Sequence, residues 1–126
     1  MQFRQSRTDN GIRVVTATIP HVQSVTLGIW VGVGSRYEQE HAGGISHFTE
    51  HLLFKGTRRR NQREISQAIE GRGGYLNAFT GEEATCYYAR VDSQQLKKSL
   101  DVLTDMYVNS RFDKTEIEKE RGVIME

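Results

Sequence analysis

The chain has 126 residues and a formal net charge of +1, with 17 basic against 16 acidic side chains. That length can bury one modest core and leaves no room for two domains, and so even a charge balance argues against a nucleic-acid partner. A single cysteine, Cys86, excludes an internal disulfide and fits a reducing, cytoplasmic setting, while no apolar run nears the roughly 20 residues of a membrane span.

The N-terminus lacks the basic, apolar, small-residue order of a signal peptide, and strand character begins almost at Met1, which leaves no space for a transit peptide. Residues 2–7 and 12–19 flank Asp9-Asn10-Gly11, a turn signal that predicts an antiparallel hairpin ended by Pro20. The run from Val25 to Val33 is rich in β-branched and aromatic residues and predicts a central strand with close backbone approach at its glycines. Gly28, Gly32 and Gly34 read as packing glycines, because no helix start and no G-x-G-x-x-G follows. Residues 38–44 form a polar loop, and His21 and His41, both in loop-like surroundings, have little claim to be ligands.

His47-Phe48-Thr49-Glu50-His51 comes next and sets two imidazoles four positions apart, one turn along a single helix face. That is the spacing of a zinc pair. Glu50 lies on the flank of the same face, within reach of a metal-held water whose proton it would take. Ile45, Phe48 and Leu52 form an apolar stripe turned away from the histidines, Gly43-Gly44 precede the helix, and Gly56 stands at its stop. The five residues alone are equally met by a histidine pair with an acid between. Arg58-Arg59-Arg60, with Arg63 shortly after and no interleaved aromatics, reads as a solvated loop.

Asn61 with Glu64 makes a capping-box pattern for a helix carrying Ile65, Ala68 and Ile69, closed by Gly71, Gly73 and Gly74. Residues 75–80 and 84–91 read as strands joined at Gly81-Glu82-Glu83, with Cys86 a packed strand residue. A second box, Asp92 with Gln95, opens a helix whose Leu96, Leu100, Leu103 and Tyr107 recur at helical spacing and are expected in the core. Asn109-Ser110 breaks that pattern, and Asp113 with Glu116 starts the last helix. There Glu116 and Glu120 fall on the arc of Val123 and Ile124, so Glu120 interrupts a stripe expected to be buried. A buried acid needs a partner, and the residues allow either a salt bridge with an arginine or a place beside a metal site. The helix reaches Glu126 without glycine, asparagine or proline after it, and reads as an element cut short.

The text around the histidines carries the pattern further, with Gly43-Gly44-Ile45-Ser46 before them and Leu52-Leu53-Phe54-Lys55-Gly56-Thr57 after. In order along the chain stand also Asp9-Asn10-Gly11-Ile12-Arg13-Val14-Val15, Gly32-Val33-Gly34-Ser35-Arg36, Leu76-Asn77-Ala78-Phe79-Thr80 and Glu118-Lys119-Glu120-Arg121-Gly122-Val123-Ile124. In these the chain resembles the inverzincin metallopeptidases, the pitrilysin family that includes insulysin and the mitochondrial processing peptidases. The resemblance implies an α+β fold, an antiparallel sheet with helices packed on one face. It makes residues 1–126 the N-terminal part of a catalytic domain, cut inside its last helix.

The resemblance also implies a zinc-dependent endopeptidase acting on a peptide or unfolded polypeptide, with a second homologous half or subunit as partner and neither nucleic acid nor membrane. It makes His47 and His51 zinc ligands, Glu50 the general base, and Glu120 an assisting acid. Asn77 and Ala78 fall on the family's edge strand, which pairs with an extended substrate by strand addition; on residues alone they belong to a plain edge strand. The family's third ligand is a glutamate one heptad beyond Glu120, at position 127; Glu126 points about 100° away from that face and is not assigned. With two ligands the fragment alone is expected to be inactive. The family also contains non-catalytic peptide-binding or structural subunits, typically with a damaged motif, whereas all five motif residues are intact here. A purely structural zinc module would want four protein ligands and usually several cysteines.

Overall fold

The computed structural model describes residues 1–124, the side chain of Ile124 excepted. Two strands, β1 (Gln2–Arg7) and β2 (Arg13–Thr18), pair antiparallel as the turn signal predicts, with Arg7 opposite Arg13. Gly11 makes that turn possible: at φ 92 it occupies a region that L side chains avoid, and its N–H donates to the Thr8 carbonyl at 2.9 Å. Every residue of both strands is exposed, so the hairpin forms a sheet of its own, off the core.

The main sheet is antiparallel and consists of β3 (Ser24–Val31), β4 (Tyr75–Thr80) and β5 (Thr85–Asp92), with β5 in the middle. Register brings Val25, Leu27 and Ile29 opposite Val91, Ala89 and Tyr87, and Leu76 and Ala78 opposite Ala89 and Tyr87. These side chains share one face. Against it pack Leu53 from α1 (Ile45–Leu53), Ile65 and Ile69 from α2 (Gln62–Ile69), and Val102, Leu103 and Met106 from α3 (Leu96–Val108). The result is an α+β fold with helices on one side of an antiparallel sheet. A fourth helix, α4 (Lys114–Ile124), lies against α1. No helix among the described residues is long and apolar enough to cross a membrane.

Local signals account for most of the boundaries. The α2 capping box is complete, with Asn61 Oδ1 accepting from Glu64 N at 2.8 Å and Glu64 Oε1 from Asn61 N at 3.2 Å. Asp113 caps α4 by accepting from Thr115 N at 2.9 Å. Asp92 also caps, accepting from Gln94 N at 2.9 Å, and a short 3-10 turn, Ser93–Gln95, comes before α3. Cys86 is buried on β5, and burial pushes its thiol pKa up. The expectation that α4 runs on to Glu126, with Glu126 turned off the site, lies outside the described residues, as does the Ile124 side chain.

Several expectations are corrected. β3 lies at an edge of the main sheet rather than in its centre, since among the described residues it pairs only with β5, and its second face carries Ser24, Thr26, Gly28 and a Trp30 that is 67% exposed. The central place goes to β5, whose Cys86 and Tyr87 are buried on opposite faces. Packing explains Gly34, where a Cβ would come within 2.5 Å of the Gly81 and Glu82 carbonyl oxygens, and Gly28, beside Cys86 Sγ at 3.2 Å. It does not explain Gly32, where a Cβ would meet nothing. On α3 the buried face is Ser99, Val102, Leu103 and Met106, so of the expected stripe only Leu103 is in the core; Leu96, Leu100 and Tyr107 are exposed. Ile45, placed on the apolar stripe of α1, is 52% exposed, and Leu53 takes the core position instead.

The basic loop is not simply solvated. Asp105 on α3 is buried, and it draws in Thr57 Oγ1 at 2.6 Å, Arg60 at 2.8 Å and Asn109 Nδ2 at 2.9 Å, while Arg60 also holds Asp101 at 2.8 Å. Burial pushes the Asp105 carboxyl up, but the bonds from Thr57, Asn109 and Arg60 outweigh it and hold the pKa at about 2, against an ordinary 3.8. A folded-state pKa below the unfolded one means that the native state binds fewer protons, so this stability is present above pH 4 and is lost as pH falls toward 2. The expected loss is about 2 kcal/mol. Urea unfolding at pH 6 and pH 2.5 should find that Asp105→Asn flattens this part of the pH dependence; equal slopes in both proteins would refute it.

Candidate active site

Helix α1 starts without a serine, threonine or asparagine cap. Gly44, at φ 87, turns the chain into the helix, and the carboxylate of Glu38 caps it from upstream, accepting from Gly44 N at 2.7 Å and Ser46 N at 2.8 Å. Bonds from Ser46 and then Gly44 hold the Glu38 carboxyl below its ordinary pKa, and its charge sits where the helix dipole favours an anion. The first turn is thereby fixed just before His47.

One turn later the two imidazoles meet. His47 Nε2 and His51 Nε2 are 3.1 Å apart, with the rings edge to face at 79°. The ligand atoms of His47, Glu50 and His51 all lie within 4.8 Å of one another, and among the described residues this is the only such cluster of three. Neither His21 nor His41 joins it. Two nitrogens on one tetrahedral zinc, each about 2.0–2.1 Å from the ion, stand roughly 3.3 Å apart. The donor set therefore fits a metal of that kind without rearrangement of α1.

The other nitrogen of His51 is taken. Glu120, on α4 and only 6% exposed, places Oε2 at 2.9 Å from His51 Nδ1, while Lys55 Nζ holds its Oε1 at 2.8 Å. The buried acid thus has a lysine rather than an arginine as its ionic partner, and a histidine of the candidate cluster besides. Lys55 first, against the opposing effect of burial, and then His51 lower the Glu120 pKa. A carboxylate can only accept, so the shared proton sits on Nδ1 and leaves the Nε2 lone pair free to face His47.

Strand β4 brings the remaining candidates. Thr80, at its end, donates its hydroxyl to Glu50 Oε2. Asn77 and Ala78 lie on the same strand, which pairs only with β5 among the described residues, so its other edge is open. The Ala78 N–H is held by Asn77 Oδ1 at 2.8 Å, and Asn77 Nδ2 by the Tyr75 hydroxyl at 2.7 Å. Tyr87 lies behind the cluster, its phenol pKa raised by burial and then by the Glu50 charge.

A family model described as insulinase (peptidase family M16) matches residues 13–126. The chain belongs to this family. It is 48% identical over 93% of its length to the uncharacterized zinc protease YmxG of Bacillus subtilis, and covers 29% of that protein. It is 43% identical over 98% of its length to a probable mitochondrial-processing peptidase subunit beta of Arabidopsis thaliana, of which it covers 23%. The crystal structure of a protease from Helicobacter pylori superposes with a TM-score of 0.92 at 27% identity, covering 98% of this chain and 30% of that one. The chain therefore spans less than a third of the length of each of these proteins.

Three of the residues that shape the site were not singled out from sequence. Lys55 follows His51 by four positions, the same step that separates the histidines, so helical arithmetic already put it on their face. Thr80 shares strand parity with Ala78. Glu38 left no local signal, because it caps α1 across a 3-10 turn, Glu40–Ala42, that no periodicity announces.

Proposed function

We propose that this segment carries the zinc-binding and proton-transferring part of an endopeptidase that hydrolyses extended polypeptides. The observation that carries the proposal is the pair of Nε2 atoms 3.1 Å apart, with Glu50 beside them and the far side of His51 tied to Glu120. His47 and His51 would hold zinc, which when bound supplies a Lewis acid that polarises a water and the scissile carbonyl. Glu50 takes the proton of the attacking water and returns it to the leaving amine, steered by the Thr80 hydroxyl. Glu120 acts behind the metal site by orienting His51.

An extended peptide would add to the open edge of β4, displacing the Asn77 side chain from the Ala78 N–H and leaving the Asn77 amide to bind the new strand. The names of the relatives, zinc proteases and a processing-peptidase subunit, support this reading, and the proportion of them that this chain spans leaves room for a second half or subunit. A reducing, cytoplasmic setting is proposed from the lone, buried Cys86.

The test is zinc titration of the chain. One equivalent should bind, and His47→Ala and His51→Ala should each lower the affinity by at least about tenfold, since each removes a direct ligand. Binding that survives both changes would place the metal elsewhere.

A further inference from the structure

We propose that Lys55 sets the tautomer of His51 through Glu120: its ammonium holds one carboxylate oxygen and so keeps the other aimed at His51 Nδ1. The inference deepens the zinc reading and rests on it for purpose, but its geometry stands in the metal-free chain. His47 and His51 step by four along one face of α1, and Lys55 lies two residues past the end of that helix, where its N–H closes a tighter turn by donating to the Leu52 carbonyl at 3.0 Å. That places an ammonium one turn past the second histidine. Glu120 arrives from α4 with its side chain nearly closed off, and has Lys55 at 2.8 Å on Oε1 and His51 at 2.9 Å on Oε2.

Each oxygen thus has one charged or polar donor, and the carboxylate plane is fixed between two helices. Lys55 is itself only 24% exposed in its side chain, so the bond is shielded from the solvent that weakens surface ion pairs. Without Lys55, Oε1 would lose its donor in a nearly closed place, and the carboxylate would turn to recover one. His51 Nδ1 would then lose its acceptor. The neutral ring would be free to move its proton to Nε2, the atom that faces His47, and a protonated Nε2 offers no lone pair to a metal. Lys55 is accordingly a positioning residue and not a catalytic one.

The experiment reads the ring directly, by long-range 1H–15N NMR of the metal-free chain at a pH where His51 is neutral, alongside titration with Zn2+ alone. The unmodified chain should have the Nδ1–H tautomer at His51. Lys55→Met should shift population to Nε2–H and weaken zinc binding about tenfold or more; Lys55→Arg, which keeps a donor for the carboxylate, should restore both. In a Glu120→Gln background, Lys55→Met should change nothing further. An unaltered His51 tautomer in Lys55→Met, or an equal loss of affinity with and without Glu120, would overturn the proposal. Should Lys55→Met not fold, Lys55→Ala, which likewise offers the carboxylate no donor, carries the same comparison, and an Nε2–H tautomer in the unmodified chain overturns the proposal outright. A shift to Nε2–H in Lys55→Met, absent in the Glu120→Gln background, in a chain that binds no zinc would count against the metal site while upholding the role of Lys55.

Discussion

In a longer, cleaving protein that contains this chain, replacing Glu50 with glutamine is expected to lower peptide cleavage by about 10³-fold while zinc stays bound. Glutamine has the shape of glutamate and still offers an oxygen to the Thr80 hydroxyl, so β4 and α1 keep their contact. What it cannot do is take a proton. General acid–base assistance is worth about 10²–10⁴-fold, and here the same carboxylate both receives the water's proton and delivers it to the amine, so two transfers fail together. His47 and His51 are untouched, and their 3.1 Å nitrogen pair does not involve Glu50. The measurement is kcat/KM on an unstructured peptide beside metal content by elemental analysis. Loss of metal would make Glu50 a ligand, and undiminished cleavage would put the base elsewhere.

What could be read from the residues depended on whether the signal was local. The zinc-type helix, the Asn61–Glu64 box, the hairpin at Asp9-Asn10-Gly11 and the two strands around Gly81 all rest on interactions within a few positions, and all are present. The errors fall where a distant partner decides. Leu96, Leu100 and Tyr107 make as good an apolar stripe on α3 as Val102 and Met106 do. Which of the two faces inward is set by the sheet beneath and by Asp105, whose partners lie more than 40 positions away in the basic loop. The β-branched content of β3 predicts a central strand, yet strand order depends on which strands pair along each edge, and β3 pairs only with the distant β5 among the described residues. In the site, Glu120 is buried as its helix stripe predicts, although Val123 on the same arc is 59% exposed, and the stripe could not show that its partners would be His51 on α1 and Lys55 just past that helix. Thr80 and Glu38 act across 30 and up to 8 positions respectively, beyond the reach of any helical or strand period.

The ligand count leads to the other large effect: the 126-residue chain is expected to hold zinc weakly and to cleave nothing, whereas one helical turn added with a glutamate at position 127 should tighten zinc binding at least about 100-fold. Catalytic zinc takes three protein ligands and a water, of which His47 and His51, on the function proposed above, would supply two. Glu120 is occupied by His51 Nδ1 and Lys55, so it is not free to be the third. Its face of α4 is nonetheless the one turned toward α1. Seven residues on a continuing helix turn through about 700°, within about 20° of two full turns, so position 127 shares that face. Partners that merely orient a ligand are worth about 10–100-fold in metal affinity, which sets a floor for a direct one. The comparison is zinc titration of three chains, the original, the glutamate extension and an extension with alanine at 127, the last separating helix lengthening from ligation. Equal affinity in the two extensions would remove position 127 from the site, and chelator-sensitive hydrolysis by the original chain would mean that a third ligand already lies within it.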